Sequence, residues 1–137
     1  MFTDIEARMD ETGVGIIISY AALDGSDEGV AEEIRKYRAA ETLHFHGWVG
    51  ESGEIDGICG FEVHADKVEI HLISVAETRQ RSGVGSAMVA ALQRMYGLPL
   101  EAETVDEAVG FYKKLGFGTT AFKDPEFGTK YTCLLVP

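Results

Sequence analysis

The stretch Gln80-Arg81-Ser82-Gly83-Val84-Gly85-Ser86 joins a predicted strand to a predicted helix, and it decides the fold. The strand, Lys67 to Val75, is apolar and β-branched, and the helix, Gly83 to Met95, carries apolar residues at helical spacing. Glycines at such a junction permit positive φ. Successive N–H groups and the positive end of the helix dipole can then form an anion site. We predict a bound phosphate or pyrophosphate here, with an ordinary tight turn as the alternative.

Two common phosphate-binding loops do not match this stretch. A dinucleotide-binding loop requires a third glycine three residues after Gly85, where Met88 stands, and it follows a strand of a parallel sheet. A Walker A loop requires a lysine directly after its last glycine, and neither Gly83 nor Gly85 is followed by one. The anion site therefore belongs to another class.

Upstream of this stretch, the pattern predicts an antiparallel meander. Leu43 to Val49 alternates at strand spacing, and tight turns connect it to Ile55 to Val63 and then to Lys67 to Val75. Gly13 to Ala21 is apolar and β-branched, which predicts a buried strand. Ser26 and Asp27 can cap a helix that runs to about Ala39.

Downstream, a short strand from Leu98 to Glu103 is followed by a helix from about Asp106 to Leu115, which Gly116 ends. Phe117 to Phe122 and Lys130 to Val136 form a closing strand pair. The predicted order is β-α-β-β-β-α-β-α-β-β. It gives an α/β (α+β) fold with a mixed, mostly antiparallel sheet flanked by helices.

Length and composition restrict the class of protein. The 137 residues suit one domain, residues 1–137, and no apolar run is long enough to cross a membrane. The formal net charge of −11 argues against nucleic-acid binding and is compatible with a cationic partner. Without a secretion signal we expect a cytoplasmic protein, in which Cys59 and Cys133 are free thiols.

Two sequence blocks resemble the GNAT superfamily of N-acetyltransferases. Gln80 to Gly85 fits the pattern Gln/Arg-x-x-Gly-x-Gly/Ala, and Ala108 to Phe117 ends in Phe-Tyr-x-x-x-Gly-Phe as the family's second block does. The resemblance extends from about Ile55 to Pro137 and implies the family fold, with two central strands splayed apart. It also implies acetyl-coenzyme A as co-substrate.

The resemblance implies particular coenzyme contacts. The main chain around Ile73 and Val75 would pair with the pantetheine arm, and the amides from Arg81 to Ser86 would hold the pyrophosphate, with help from the Arg81 charge and the Ser86 hydroxyl. The complete set of expected coenzyme-binding residues is Ile73, Ser74, Val75, Gln80, Arg81, Ser82, Gly83, Val84, Gly85, Ser86 and Tyr112.

Three residues are candidates for catalysis. Glu69 resembles in position the catalytic glutamate of the family's histone-acetylating branch, and strand alternation would direct Glu69, His71, Ile73 and Val75 to one side of the sheet. Either Glu69 or His71, or a water molecule, could act as base, or both side chains could be polar residues on an exposed face. Tyr112 resembles the family's general acid, and alternatively packs as an amphipathic core aromatic.

Acceptor contacts are less clear in the sequence. His46 and Trp48, which share a strand face with His44, could form an acceptor wall, a metal pair or a solvated face, and we expect no metal. Glu103, with Glu101, could attract a cationic amine or belong to an ordinary strand face. The acceptor itself, a small-molecule or peptidyl amine, is not specified.

The family usually places two helices between its first two strands, whereas Ala22 to Glu41 has room for one. The acceptor site could therefore be open, or a partner subunit could complete it in a homodimer. Val105 and Asp106 also stand where an asparagine is frequent, so one coenzyme contact is in doubt. An N-acetyltransferase is the first functional hypothesis, and a non-catalytic acyl-coenzyme A binding or sensing module is the second.

Overall fold

The computed structural model describes residues 1–137 as a seven-stranded sheet with helices on both faces. The strands are β1 (Phe2–Asp4), β2 (Leu43–Val49), β3 (Ile55–Val63), β4 (Val68–Val75), β5 (Leu100–Val105), β6 (Gly118–Asp124) and β7 (Gly128–Leu135). The helices are α1 (Thr12–Ala21), α2 (Asp27–Ala39), α3 (Val84–Tyr96) and α4 (Asp106–Lys114), with short 3-10 helices at Glu6–Arg8 and Glu77–Arg79. The mixed sheet flanked by helices confirms the predicted fold class.

The strand order is β1-β2-β3-β4-β5-β7-β6, and only the β4–β5 pair is parallel. These two central strands pair only at Val68–Leu100 and Glu69–Glu101 and then separate. The remainder of β4, up to Val75, therefore has β3 on one side and a gap on the other. The splayed central strands implied by the family resemblance are present.

The sheet separates two hydrophobic cores. On the α3/α4 face, Met88 and Leu92 of α3 and Val109 and Tyr112 of α4 pack against residues such as Phe61. On the α1/α2 face, the buried residues are Ile5, Met9, Val14, Ile17, Ile18, Tyr37, Phe45, Ile58 and Leu72. Each strand residue can therefore be assigned to a face by the core that it joins.

The predicted strand from Gly13 to Ala21 is wrong, because this segment forms α1. Val14, Ile17 and Ile18 are buried, at the i, i+3, i+4 spacing of a helix, while Ile16 is 49% exposed. A short β-branched run does not by itself distinguish a buried strand from a helix, and packing against β3 and β4 decides the outcome here. The first strand is instead Phe2–Asp4, so both α1 and α2 lie between the first two strands.

The helix predicted after Ser26 is confirmed as α2, and the Ser26 hydroxyl caps it by accepting a hydrogen bond from the Gly29 amide at 3.1 Å. Since α1 is present as well, the expectation of a single helix at this position is corrected. The reason given for an open acceptor site, or for its completion by a partner subunit, no longer applies.

A β-bulge at His71 alters which residues share a face of β4. Leu72 pairs with Gly60 and Ile70 pairs with Phe61, so His71 has no partner on β3. Ile70 and Ile73 consequently both join the α3/α4 core. The predicted common face of Glu69, His71, Ile73 and Val75 is wrong, because simple alternation does not continue through a bulge.

Candidate active site

The loop between β4 and α3 presents a row of free amides. Arg81 has φ 67° and Gly83 has φ 88°, so the backbone turns sharply before α3 begins. The amides of Gly83, Val84, Gly85 and Ser86 donate to no backbone carbonyl, and no side chain caps the helix. Those four donors at a helix N-terminus suit a phosphate oxygen.

The Ser82 amide differs from the predicted set of free donors. It donates to the Arg79 carbonyl at 3.3 Å, and the Ser82 hydroxyl is hydrogen-bonded to the same oxygen. Ser82 therefore stabilises the loop internally. Arg79 is itself held to the buried carboxylate of Asp56, with Nε 3.5 Å from Oδ1, so the loop is fixed to the start of β3.

Beside the loop, the edge of β4 is open towards β5. The Ala76 amide donates to the Asp56 carbonyl at 2.8 Å, on the β3 side. Because main-chain groups alternate between the two sides of a strand, those of Ile73 and Val75 point into the gap and those of Ser74 point to β3. The Gln80 side-chain amide donates to the Val75 carbonyl at 3.4 Å and closes one end of the gap.

Tyr112, on α4, lies in the α3/α4 core. Its ring packs edge-on against Phe111 and Phe117, with centroid distances of 5.4 and 5.3 Å, and the residue is 7% exposed. Burial raises the pKa of the Tyr112 hydroxyl well above its ordinary value. The hydroxyl therefore keeps its proton at neutral pH, which a proton donor requires.

The model of the acetyltransferase (GNAT) domain family matches residues 44–119, which are more than half of the chain. The chain belongs to the GNAT acetyltransferase family. The matched residues include the β4–α3 loop, the splayed strands and Tyr112. No curated protein matches the chain closely enough to count as a relative.

Solved structures share the GNAT fold over almost the whole chain. A GNAT-family protein from Desulfovibrio desulfuricans has a TM-score of 0.72 at 20% identity, covering 99% of this chain and 98% of that one. An aminoglycoside 6'-N-acetyltransferase complexed with coenzyme A has a TM-score of 0.70 at 13% identity, covering 100% and 98%. The ribosomal-protein-S18-alanine N-acetyltransferase from Escherichia coli has 0.69 at 17%, covering 100% and 92%.

In this GNAT chain, Glu69 lies where the splay begins and belongs to a cluster of four polar side chains. Its Oε1 is 3.1 Å from Nε2 of His64 and 3.8 Å from Nε2 of His71. Oε1 of Glu62, across the strand pair, is 3.7 and 3.3 Å from the same two nitrogens. The four side chains are 25–36% exposed, so solvent and ligands can reach them.

A row of glutamates crosses the sheet at this point. Glu62, Glu69 and Glu101 are direct neighbours on β3, β4 and β5, and all point away from the α3/α4 core. Lys67 neutralises Glu101, with Nζ 2.9 Å from Oε1, while Glu103 is exposed further along the same face. This acidic row is suited to a cationic group.

His46 and Trp48 do not join that row. Both project towards the α3/α4 face, where the His46 ring lies 5.1 Å from the rings of Phe2 and of Phe61, and burial lowers the pKa of His46. The structure therefore places Glu103 and the pair His46 and Trp48 on opposite faces of the sheet. The acceptor contacts predicted for His46 and Trp48 and those predicted for Glu103 would therefore lie on different faces.

Sequence reasoning missed Glu62 and His64 as neighbours of Glu69. The sequence did contain a signal, because only Ala65 and Asp66 separate His64 from Lys67, as in a two-residue turn. In the structure the His64 amide donates to the Lys67 carbonyl and closes this turn. That turn fixes the pairing of Val63 with Val68 and of Glu62 with Glu69.

None of the four helices combines the length and the apolar character that crossing a membrane requires.

Proposed function

We propose that this acetyltransferase, acting as one domain over residues 1–137, moves the acetyl group of acetyl-coenzyme A to a primary amine of a cationic acceptor. One observation carries the proposal: four free amides at the start of α3 lie beside the unpaired edge of β4. An anionic diphosphate suits the amides, and an extended chain of amide groups suits the strand edge. Coenzyme A has both parts.

The coenzyme would be held mainly through the backbone. The amides of Gly83, Val84, Gly85 and Ser86 would bind the pyrophosphate, and the exposed Arg81 would add charge. The main-chain groups of Ile73 and Val75 would pair with the pantetheine arm along the gap. Since the gap closes at the Glu69–Glu101 pair, an arm entering from the loop directs its thioester towards Glu69.

Glu69 would accept a proton from the acceptor ammonium. An alkylamine has a pKa near 10.4, so freeing it at pH 7 costs about 4–5 kcal/mol. A positioned base contributes about 10²–10⁴ in rate, while positioning the two substrates can supply about 7–11 kcal/mol. We expect positioning to contribute more than the base does.

Tyr112 would donate its proton to the sulfur as the C–S bond breaks and the C–N bond forms. The nitrogen loses two protons in all. The first goes to Glu69 and then to water, and the second, released as the amide forms, replaces the proton that Tyr112 gave away. One proton is thus released for each amide and each free thiol produced.

The acidic row supports a cationic acceptor. Glu62 and Glu69 lie together at the end of the gap, and Glu103 is exposed on the same face with no cationic partner. A multiply charged amine could place one nitrogen at Glu69 and another near Glu103. Two structural neighbours, an aminoglycoside acetyltransferase and a ribosomal-protein alanine acetyltransferase, act on amines of the small-molecule and the peptidyl kind.

The test measures thiol release from acetyl-coenzyme A with a panel of monoamines, diamines, aminoglycosides and peptides. Glu69→Gln should lower kcat/KM by about 10²-fold or more, and Tyr112→Phe should lower kcat by a comparable factor. Glu126→Gln, in an exposed turn, and Tyr20→Phe, on the surface of α1, are matched controls that should retain wild-type rates.

Coenzyme A binding, measured by calorimetry, separates the proposal from its alternative. Should wild type and both variants bind the coenzyme while none releases thiol above background, the chain is a non-catalytic acyl-coenzyme A binding module. Absence of any binding heat would refute the coenzyme site itself.

A further inference from the structure

Two histidines and two glutamates converge at the turn end of the β3–β4 hairpin. Glu62 and Glu69 are cross-strand partners, His64 begins the turn, and the bulge frees His71 from the alternation of β4. The four side chains therefore approach one another from two strands and a turn.

The four histidine–glutamate separations in this cluster are compatible with a metal coordination shell. From imidazole nitrogen to carboxylate oxygen they are 3.1, 3.3, 3.7 and 3.8 Å. A tetrahedral zinc site with bonds of about 2.0–2.1 Å has ligand atoms about 3.3 Å apart. Glu62, Glu69 and His71 have ligand atoms within 4.8 Å of one another. His64 lies outside this group of three, so its ring would move closer to complete the set.

We propose that Glu62, Glu69 and His71, with His64 as the fourth ligand, bind one Zn²⁺ ion. Two imidazoles with two carboxylates form a donor set that suits zinc, whereas Mg²⁺ and Ca²⁺ prefer oxygen ligands alone. The two carboxylates balance the charge of the ion. The partial exposure of the four side chains leaves a path for its entry.

Zinc at this cluster would occupy the Glu69 carboxylate and so prevent it from accepting a proton. Metal binding itself is independent of the proposed function, whereas this inhibitory effect rests on it. The cluster thus gives the acetyltransferase a second state, in which a metal replaces the hydrogen bonds between the histidines and the glutamates.

The test titrates chelator-treated, full-length protein with zinc chloride in a calorimeter, without acetyl-coenzyme A. We expect saturable binding of one ion. Glu62→Gln and His71→Gln should each weaken it by more than about 10-fold, since removing even an outer-shell partner costs 10–100-fold. His44→Gln, on the opposite face of the sheet, and Glu126→Gln are the matched controls and should bind as wild type does.

A spectroscopic measurement keeps the proposal falsifiable if a variant fails to fold. Co²⁺ added to wild type should give the intense visible bands of a tetrahedral site, and Zn²⁺ should abolish them. No saturable heat and no such bands would overturn the proposal, as would zinc affinity that is equal in wild type, Glu62→Gln and His71→Gln. None of these failures affects the proposed function, because the proposed transfer uses no metal and thiol release can be measured with a chelator present.

Discussion

At the scale of single residues, the buried hydroxyl of Tyr37 lowers the free energy of unfolding. Its hydroxyl has no hydrogen-bond partner, and it lies where a Cβ at Gly60 would approach to 2.1 Å. Only glycine at position 60 leaves room for this ring. A buried hydroxyl without a partner loses its hydration and gains nothing in return, at a cost of about 1–3 kcal/mol.

Tyr37→Phe should therefore raise the free energy of unfolding by about 1 kcal/mol at pH 7, measured by urea denaturation. Burial raises the pKa of Tyr37 above its ordinary value of 10.0. The native state then binds more protons than the unfolded state above pH 10, so stability falls as pH rises there, and the variant should lose less. A variant less stable than wild type at pH 7 would show that a water molecule satisfies the hydroxyl.

At the scale of elements, the motif-bearing junction was predictable and two other features were not. The Gln80 to Ser86 loop could be predicted because its glycine spacing is typical of a backbone that takes positive φ before a helix. The helix α1 was missed because burial against β3 and β4, not local preference, selects its conformation. The bulge at His71 was missed because no residue type in β4 specifies it, and it places Glu69 and Ile73 on opposite faces of the sheet.

The helix α3 offers a test in which stability and binding change in opposite directions. Ser86 lies in the first turn, where a negative side chain interacts favourably with the helix dipole. Ser86→Glu should stabilise the free protein by about 0.3–1 kcal/mol. It should also weaken coenzyme A binding by more than about 10-fold, because the new carboxylate competes with the pyrophosphate for the same amides.

Ser86→Gln is the matched control for this test, since it adds the same volume without charge. Thermal unfolding and calorimetry on the three proteins supply both measurements. If the charged and the neutral variants bind coenzyme A equally well, the pyrophosphate does not lie at the start of α3.

At the scale of the whole molecule, the net charge of −11 and the acidic row would act together on the cationic acceptor proposed above. A long-range negative field attracts cationic amines and is screened by salt, with a Debye length of about 10 Å at 0.1 M and about 3 Å at 1 M. The attraction is stronger for an acceptor of higher charge. The apparent affinity for a diamine should then depend on salt more than that for a monoamine.

Between 0.1 and 1 M NaCl, we expect the KM for a diamine to rise by about 3- to 10-fold with little change in kcat, and the KM for a monoamine of equal length to rise less. Glu103→Gln should raise the diamine KM at 0.1 M and flatten its salt dependence, because Glu103 is the exposed glutamate that follows Glu101 on the same face. Glu126→Gln removes the same charge at a turn formed by Asp124 to Gly128, so it separates the effect of net charge from that of the row. If the diamine KM depends equally on salt in Glu103→Gln and Glu126→Gln, the attraction comes from the net charge and not from Glu103.

If the KM values of the diamine and the monoamine depend equally on salt, the acceptor has no second binding point near Glu103.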